Sequence, residues 1–490
     1  MPRILYLDLD TQRADHLGCY GYCRDTSPNI DRIAARGVRF ENCYVSDAPC
    51  LPSRAALHTG RFGIHTGVVN HGGLCADLRL EGRDRYFKTN NKNWMDTLRR
   101  AGYHTVSVSP FAERHSSWWF YAGFNEMMNT GKSGHERADE INPPALEWLR
   151  HNASRDNWFM QVNYWDPHTP YRTPMEYGNP FEGTPLAGWM TEETIRRHRT
   201  SYGPHSAHEL HGYGEECSEQ HFPRLPAEII SMADYRKWID GYDVGIRYMD
   251  DHIGALLAEL ERQKLLEDTV IIVSADHSES QGELNCYGDH QFADHSTSHV
   301  PLIISWPGLT SPRVDRGLYY QLDLTPTVTE LVGGKPQPEW DGCSFADALR
   351  AGKSAGHGEV VVSQCAWSCQ RSVRWGPWLA MRTYHDGYKD LPERMLFNIE
   401  EDPYEQRDLA AARPEVLNEG ISRLEAWTAH MLETSSEPVD PMQVVIAEGG
   451  PLHTREADLA KYCERLRATG RAGCAEKLWA KHGERSQRRG

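Results

Sequence analysis

The sequence predicts an α/β protein: a large, doubly wound, mostly parallel sheet flanked by helices, then a smaller C-terminal antiparallel sheet with a helix. Three observations lead there. Apolar strand-like runs alternate with helical patterns through most of the chain, the signature of strand–helix–strand units. The alternation breaks at a polar, Gly-containing stretch, residues 349–359. Beyond it, short strand-like runs follow one another closely before a single helical pattern.

Taken in order, ILYLDLD (4–10) is the first strand. SPNIDRIAARG follows as a helix, with Ser27 as N-cap, Pro28 in the first turn, Ile30 and Ile33 on one face and Gly37 as the stop. NWMDTLRRAG reads as a helix, HTVSVS (104–109) as a strand, and WFMQVNYWD (158–166) as another. Residues 191–226 are polar and hold His198, His205, His208, His211 and His221, which predicts a surface excursion over one end of the sheet. A histidine metal site there is the less favoured reading. A long helix through DYRKWIDGYDVGIRYMDDHIGALLAELERQ leads to TVIIVSADH (269–277), then VPLIISWPG and the helical LDLTPTVTELVGG. VVVSQ, RSVRWGPWLAMRTY and MLFNIEEDPYEQRDL make the small sheet, and EVLNEGISRLEAWTAHML its helix. The expected division is an α/β domain over 1–355, a smaller α+β subdomain over 356–445, and a charged helical tail over 446–490. That tail reads as one exposed helix or a homo-oligomer contact.

Composition narrows the function classes. The 490 residues carry a formal charge of −16, which argues against general nucleic-acid binding while leaving room for a local anion pocket. No apolar run approaches the ~20 residues of a membrane span, and no secretory leader is visible. Twelve cysteines are scattered without a framework, as expected for reduced thiols in a cytoplasm. Cys365 and Cys369 lie four apart with no second pair at zinc-site spacing.

Asp8 and Asp10 share one face at the C-terminal end of the first strand. Two like charges side by side raise each other's pKa unless a cation compensates, so metal binding is favoured over strand-end capping. A second strand ends in Asp276-His277, and open parallel sheets bind ligands beyond the carboxyl ends of their strands. PCLPSRAALHTG follows the strand VRFENCYVS and continues as a helix. A helix N-terminus suits an anion and lowers a thiol's pKa, which makes Cys50 a candidate nucleophile or nucleophile precursor. Arg54 adds a forked, permanently charged donor. A buried inert cysteine beside a surface arginine is the alternative.

The run C-L-P-S-R-A-A-L-H-T-G-R (50–61) resembles the signature of the type I sulfatases, C-x-P-S-R followed by L-x-T-G-R. DTQRADHLGCYGY, YWDPHTPY, YDVGIRYMDDHIGALLAEL, VIIVSADHSESQGE, HVPLIISWPG and FNIEEDPYEQRDLA also resemble sulfatase segments, in the family's order. The resemblance implies an alkaline-phosphatase-like fold and a Cys50 that a formylglycine-generating maturation enzyme converts to formylglycine. Its hydrate attacks sulfur. The resemblance further implies one divalent metal, Ca²⁺ foremost with Mn²⁺ or Mg²⁺ open, held by Asp10, Asp276, His277 and the modified Cys50. Thr11 follows Asp10 where relatives often have a second aspartate, so Asp8 is the expected substitute. Arg54 steadies the nucleophile, His168 contacts sulfate or the leaving oxygen, and His290 stands near a common lysine position as candidate general acid.

Two departures stand out. The G-K-W-H segment is missing, and PFAERHSSWWFYAGFNE offers Arg114 or His115 as substitute substrate-binding residues. Ser278 replaces the glycine after Asp-His. The expected function is hydrolysis of an organic sulfate monoester. Aromatic-rich segments favour a carbohydrate, although core packing explains them equally well. A phosphonate monoester or phosphodiester hydrolase, and a non-catalytic binder of sulfated ligands, are the alternatives.

Overall fold

The computed structural model describes residues 1–78, 93–214 and 222–487. His221 lies outside the described residues. The strand Arg3–Leu9 is buried along its length and runs between Trp158–Tyr164 and Thr269–Ala275, parallel to both. Its near-continuous apolar character is what a strand covered on both faces requires. Eight strands form this sheet, and only His299–Ser305 runs antiparallel to its neighbours. Helices cover both faces, so the α/β expectation holds.

Local chemistry explains the flanking helices. Met232–Arg262 begins with a capping box between Ser231 and Asp234. The helix Pro28–Ala34 starts where the sequence predicts, but Ser27 does not cap it. Its hydroxyl instead accepts from Gly18 N–H at 2.9 Å and donates to Asp31 at 3.0 Å. Asp250, from the long helix, accepts the free Asn29 and Ile30 N–H groups at 2.9 Å each. A tertiary carboxylate thus does the capping and locks the two helices together.

The second sheet orders Glu359–Gln364, Cys369–Trp375, Trp378–His385 and Arg394–Asn398 as antiparallel neighbours, backed by the helix Pro414–Thr434. Its fifth strand comes from far away in sequence. Asp47–Ala48 pairs in parallel with Ser363 and Gln364, two residues before Cys50. The segment entering the Cys50–Thr59 helix is therefore clamped by the smaller sheet.

The C-terminal residues do not form one exposed helix. Pro441–Ala447, Leu452–Arg455, Leu459–Ala468 and Ala472–Gln487 are separate helices. The last two bury Leu459, Tyr462, Leu466 and Leu478 against Tyr202 and Tyr388. Fully buried Glu209 takes Arg471 and Arg465 as partners, tying these helices to the 191–226 excursion. The periodic charges of this tail cover a narrow apolar stripe that has a partner.

Arg371 fastens the start of the tail to the smaller sheet. Its guanidinium meets Asp440 in a two-pronged pair, 2.6 and 2.8 Å, and Asp440 also caps the helix Pro441–Ala447. Asp440→Ala leaves a buried guanidinium without its counter-charge and should cost about 3 kcal/mol, read by urea denaturation. Arg371→Met combined with Asp440→Leu should recover most of that loss. Equal destabilisation by the double variant would show that helix capping, not the charge pair, carries the effect.

Candidate functional site

The strands Arg3–Leu9 and Thr269–Ala275 end side by side, and their loops carry Asp10, Asp276 and His277 to one point. The helix Cys50–Thr59, buried along its whole length, delivers Cys50 and Arg54 to the same point from the opposite side. Asp10, Cys50, Asp276 and His277 each place a ligating atom within 4.8 Å of the others.

Arg54 sits at the centre, 1% exposed. It bonds Asp276, reaches Asp8 through Nε at 3.2 Å and approaches Asp10 at 3.1 Å. Three carboxylates thus share one guanidinium. Burial, and then the neighbouring Asp276, push the Asp10 carboxyl well above the usual range, and neither Asp10 oxygen has a hydrogen-bond partner. Burial also raises Asp8 and Asp276, with Arg54 opposing. Thr11 Oγ1 and Gln12 Oε1, buried in the adjoining loop, are unpartnered too. Excess buried carboxylate with orphaned oxygens is the environment a hard divalent cation satisfies. Asp8 lies outside the four-residue group; Gln161 Nε2 donates to it at 2.9 Å and Arg54 holds its other side.

His277 is prepared as a ligand. Its Nδ1–H donates to the Ser278 carbonyl at 2.9 Å, which turns the Nε2 lone pair towards Asp276 at 3.2 Å and Cys50 Sγ at 3.1 Å. Burial holds its pKa down at about 3, so the ring is neutral. Ser278 fills its unusual position by donating to the His299 carbonyl at 2.6 Å and contacting the Gln12 carbonyl at 3.0 Å.

The thiol behaves opposite to the helix-dipole expectation. Burial, then Asp10 and Asp276, raise the Cys50 pKa well above its ordinary value, so the group is a protonated thiol at neutral pH. An unmodified Cys50 is a poor nucleophile here.

Histidines wall the rest of the pocket. His168 and His290 come within 4.8 Å of Cys50 as one group, and His71 and His115 as another. His168 donates through Nδ1 to the Thr169 carbonyl at 2.6 Å and stacks on Trp165. His290 lies 4.1 Å from His277, ring to ring, and burial lowers its pKa to about 3. Nε2 of His71 and of His115 has no partner. Arg114 is exposed, with its guanidinium 6.0 Å from the Trp165 ring, and its charge works against the rise in the Cys50 pKa.

Two residues escaped the sequence reading. His71 Nδ1 meets His453 Nε2 at 3.0 Å, and His453 stacks at 4.4 Å on Trp367. His453 and the Trp367 that supports it both come from beyond residue 360, in segments that only tertiary structure brings to His71. The hydrogen bond from Thr454 Oγ1 to the Trp367 carbonyl, 2.8 Å, fixes their contact. Of the histidine-rich excursion, His198 bonds Tyr287 at 2.7 Å and His205 pairs with Asp289 at 3.0 Å. Among the described residues no metal-binding group forms within that excursion.

Comparison with known proteins gives the same picture. A family model described as Sulfatase matches residues 2–334. Choline-sulfatase of Rhizobium meliloti (strain 1021) is 25% identical over 432 residues, covering 78% of this chain and 77% of that protein. A structure solved in complex with its substrate, D-glucosamine-2-N,6-O-disulfate, superposes with a TM-score of 0.70 at 18% identity, covering 90% of this chain and 99% of the other. The phosphonate monoester hydrolase of Agrobacterium radiobacter superposes with a TM-score of 0.65 at 19% identity, covering 88% and 96%. The match runs through the strand ends that carry Asp10 and Asp276 and the helix that carries Cys50, and this chain belongs to the sulfatase family of sulfuric ester hydrolases.

Proposed function

We propose that this protein hydrolyses a carbohydrate sulfate monoester through a formylglycine made from Cys50 by a maturation enzyme, with one divalent cation, Ca²⁺ foremost. The observation that carries the reading is the convergence of Cys50 on Asp10, Asp276 and His277 around buried Arg54. The high thiol pKa supports it, because a thiolate mechanism is disfavoured exactly where the signature calls for an aldehyde. The sugar assignment draws support from the amino-sugar sulfate bound in the superposed structure and from Trp367 at the pocket wall. A cytoplasmic location fits the free thiols of every described cysteine, and among the described residues no helix is long and apolar enough to cross a membrane.

Asp10, Asp276, His277 and the modified Cys50 would hold the cation, which when bound offsets the charge on the sulfate oxygens. Asp8 keeps Arg54 oriented from below. Formylglycine at position 50, once hydrated, would supply one hydroxyl to attack sulfur in line while the sulfur–oxygen bond to the alcohol breaks, and a second whose deprotonation would expel sulfate and return the aldehyde. The neutral imidazole of His290 or His168 would take the proton of the attacking hydroxyl and pass it to the departing oxygen, an effect worth about 10² to 10⁴ in rate. The proton of the second hydroxyl would go to an unpartnered imidazole nitrogen on His71 or His115.

Peptide mass spectrometry on protein co-expressed with a maturation enzyme should show a loss of about 18 Da at Cys50. That protein should turn over aryl sulfate faster than aryl phosphonate, and Cys50→Ala should lower kcat by about 10³-fold or more. Faster phosphonate turnover would make it a phosphonate hydrolase. An unmodified Cys50 would leave a sulfated-ligand binder.

Chelated protein should gain thermal stability on addition of millimolar Ca²⁺, through binding to the folded state alone. Asp10→Asn should abolish the increment, and Mn²⁺ and Mg²⁺ measured alongside rank the candidates. An unchanged increment in Asp10→Asn would remove Asp10 from the ligand set.

His453→Ala should reduce kcat/KM about 10-fold, with Tm and Cys50 conversion unchanged. Wild-type kinetics in this variant would reduce the His71–His453 contact to packing.

A further inference from the structure

A row of side chains leads outward from Cys50 along one wall of the pocket. His168 is within 4.8 Å of the Cys50 group, and its ring stacks at 5.5 Å and 19° on buried Trp165. The Arg114 guanidinium lies over the same indole. Gly134, at φ +80°, presses its backbone against both: a Cβ there would fall 2.9 Å from Trp165 and 3.0 Å from the Arg114 side chain. The next residue, His135, accepts from Arg172 through Nδ1 at 3.1 Å. Arg172 itself follows His168 by four positions.

Among the described residues, no ion pair joins Arg114 or Arg172 to a carboxylate. The acidic groups nearby are already engaged. Asp166 accepts the Ala138 N–H at 2.7 Å. Buried Glu136 accepts Thr130 Oγ1–H, Lys132 N–H and Gly134 N–H at 2.7, 2.7 and 2.8 Å, which builds the turn that presents His135. Burial lowers the Arg172 pKa to about 10, with Arg114 adding repulsion that Asp166, Glu136 and Asp10 offset only in part. Burial, and then Arg172 and Arg114, depress the His135 pKa. In a protein of net charge −16, two neighbouring guanidinium groups with no directly paired carboxylate, set against Trp165 and His135 beside the reaction centre, offer an anion a place where it would offset their mutual repulsion. The reacting sulfate cannot serve both places, because it must sit at Cys50 with Arg54 and the histidines.

We propose that Arg114, Arg172 and His135 form a second anion subsite, which receives a further acidic group, carboxylate or sulfate, on the leaving part of the substrate. The inference rests on the sulfate-ester reading above and narrows its substrate class to polyanionic sugars. Arginine suits the task because its planar fork matches either oxyanion.

Binding to a Cys50→Ala variant, which has no nucleophile, separates this inference from the reaction. Three ligands are titrated calorimetrically at low salt: a monosulfated N-acetylhexosamine, a disulfated hexosamine, and a monosulfated hexosamine linked to a hexuronate. At least one two-anion ligand should bind about 10-fold more tightly than the monosulfated one, and the preferred arm identifies sulfate or carboxylate. Arg114→Ala and Arg172→Gln should each remove that advantage while leaving the monosulfated affinity within about twofold. Arg172→Lys should retain part of it and controls for folding. Equal affinity for all three ligands, or no binding of either two-anion ligand, overturns the subsite. So does an equal loss for the monosulfated ligand in the arginine variants, which would assign these residues to the reacting sulfate. Absent turnover in the maturated wild type with the two-anion preference intact would instead overturn the sulfatase reading and leave the subsite standing.

Discussion

A single buried guanidinium organises this molecule. Arg54 reaches three carboxylates contributed by the ends of two adjacent parallel strands, while its own backbone belongs to the helix that begins at Cys50. Phe111 packs over its other face with a ring-to-guanidinium separation of 4.9 Å. Taking these charges out of water is expensive, and the arrangement survives only because each carboxylate is held from a second direction or poised for another cation. The helix cannot shift without stranding the charges, and the strand ends cannot splay without stranding Arg54. The geometry of the candidate site and the stability of the fold therefore share one contact.

The same constraint explains why the smaller sheet and the tail matter to the chemistry. Asp47–Ala48 pairs with Ser363–Gln364, so the approach to Cys50 is set by a strand more than 300 residues later in the chain. The turn after that strand carries Trp367, which supports His453 from the tail, which in turn meets His71. Asp440 and Arg371 close the path by fixing the tail to the sheet. Every link is buried or half-buried, so the pocket wall at His71 is tied into the smaller sheet and the tail.

Much of this was legible in sequence, for identifiable reasons. Strand ends such as ILYLDLD and TVIIVSADH announce themselves because apolar runs stop abruptly at acidic or basic side chains. The Cys50 signature is local and dense, so the family followed from a dozen residues, and the same run carries the proposal for the nucleophile. The role of Asp8 was read less well: alternation puts it on the face of Asp10, yet Gln161, on a neighbouring strand, turns it towards Arg54. The Cys50 pKa lies on the other side from the helix-end argument because burial, and then Asp10 and Asp276, outweigh a partial dipole charge. Asp250 as a cap, and His453 as a pocket residue, depend on pairings across 220 and 382 positions that no local pattern encodes.

The absence of the G-K-W-H lysine acquires a physical meaning in this frame. Burial keeps His71, His115, His168, His277 and His290 below their ordinary pKa, so the described pocket wall is built from neutral imidazoles. Arg54 is already surrounded by acid. Without a bound cation, then, the innermost pocket holds no spare positive charge with which to attract a sulfate ester. A neutral imidazole can donate one hydrogen bond and accept another, which suits proton movement at the leaving oxygen better than long-range attraction. For the reacting sulfate, attraction would come from a cation held by Asp10, Asp276 and His277. The rim side chains without carboxylate partners, Arg114 over Trp165 and Arg172 beside His135, stand where a second acidic group of the substrate would meet them. Charge at the mouth and neutral imidazoles at the centre would thus divide recognition of the rest of the substrate from proton exchange at the leaving oxygen.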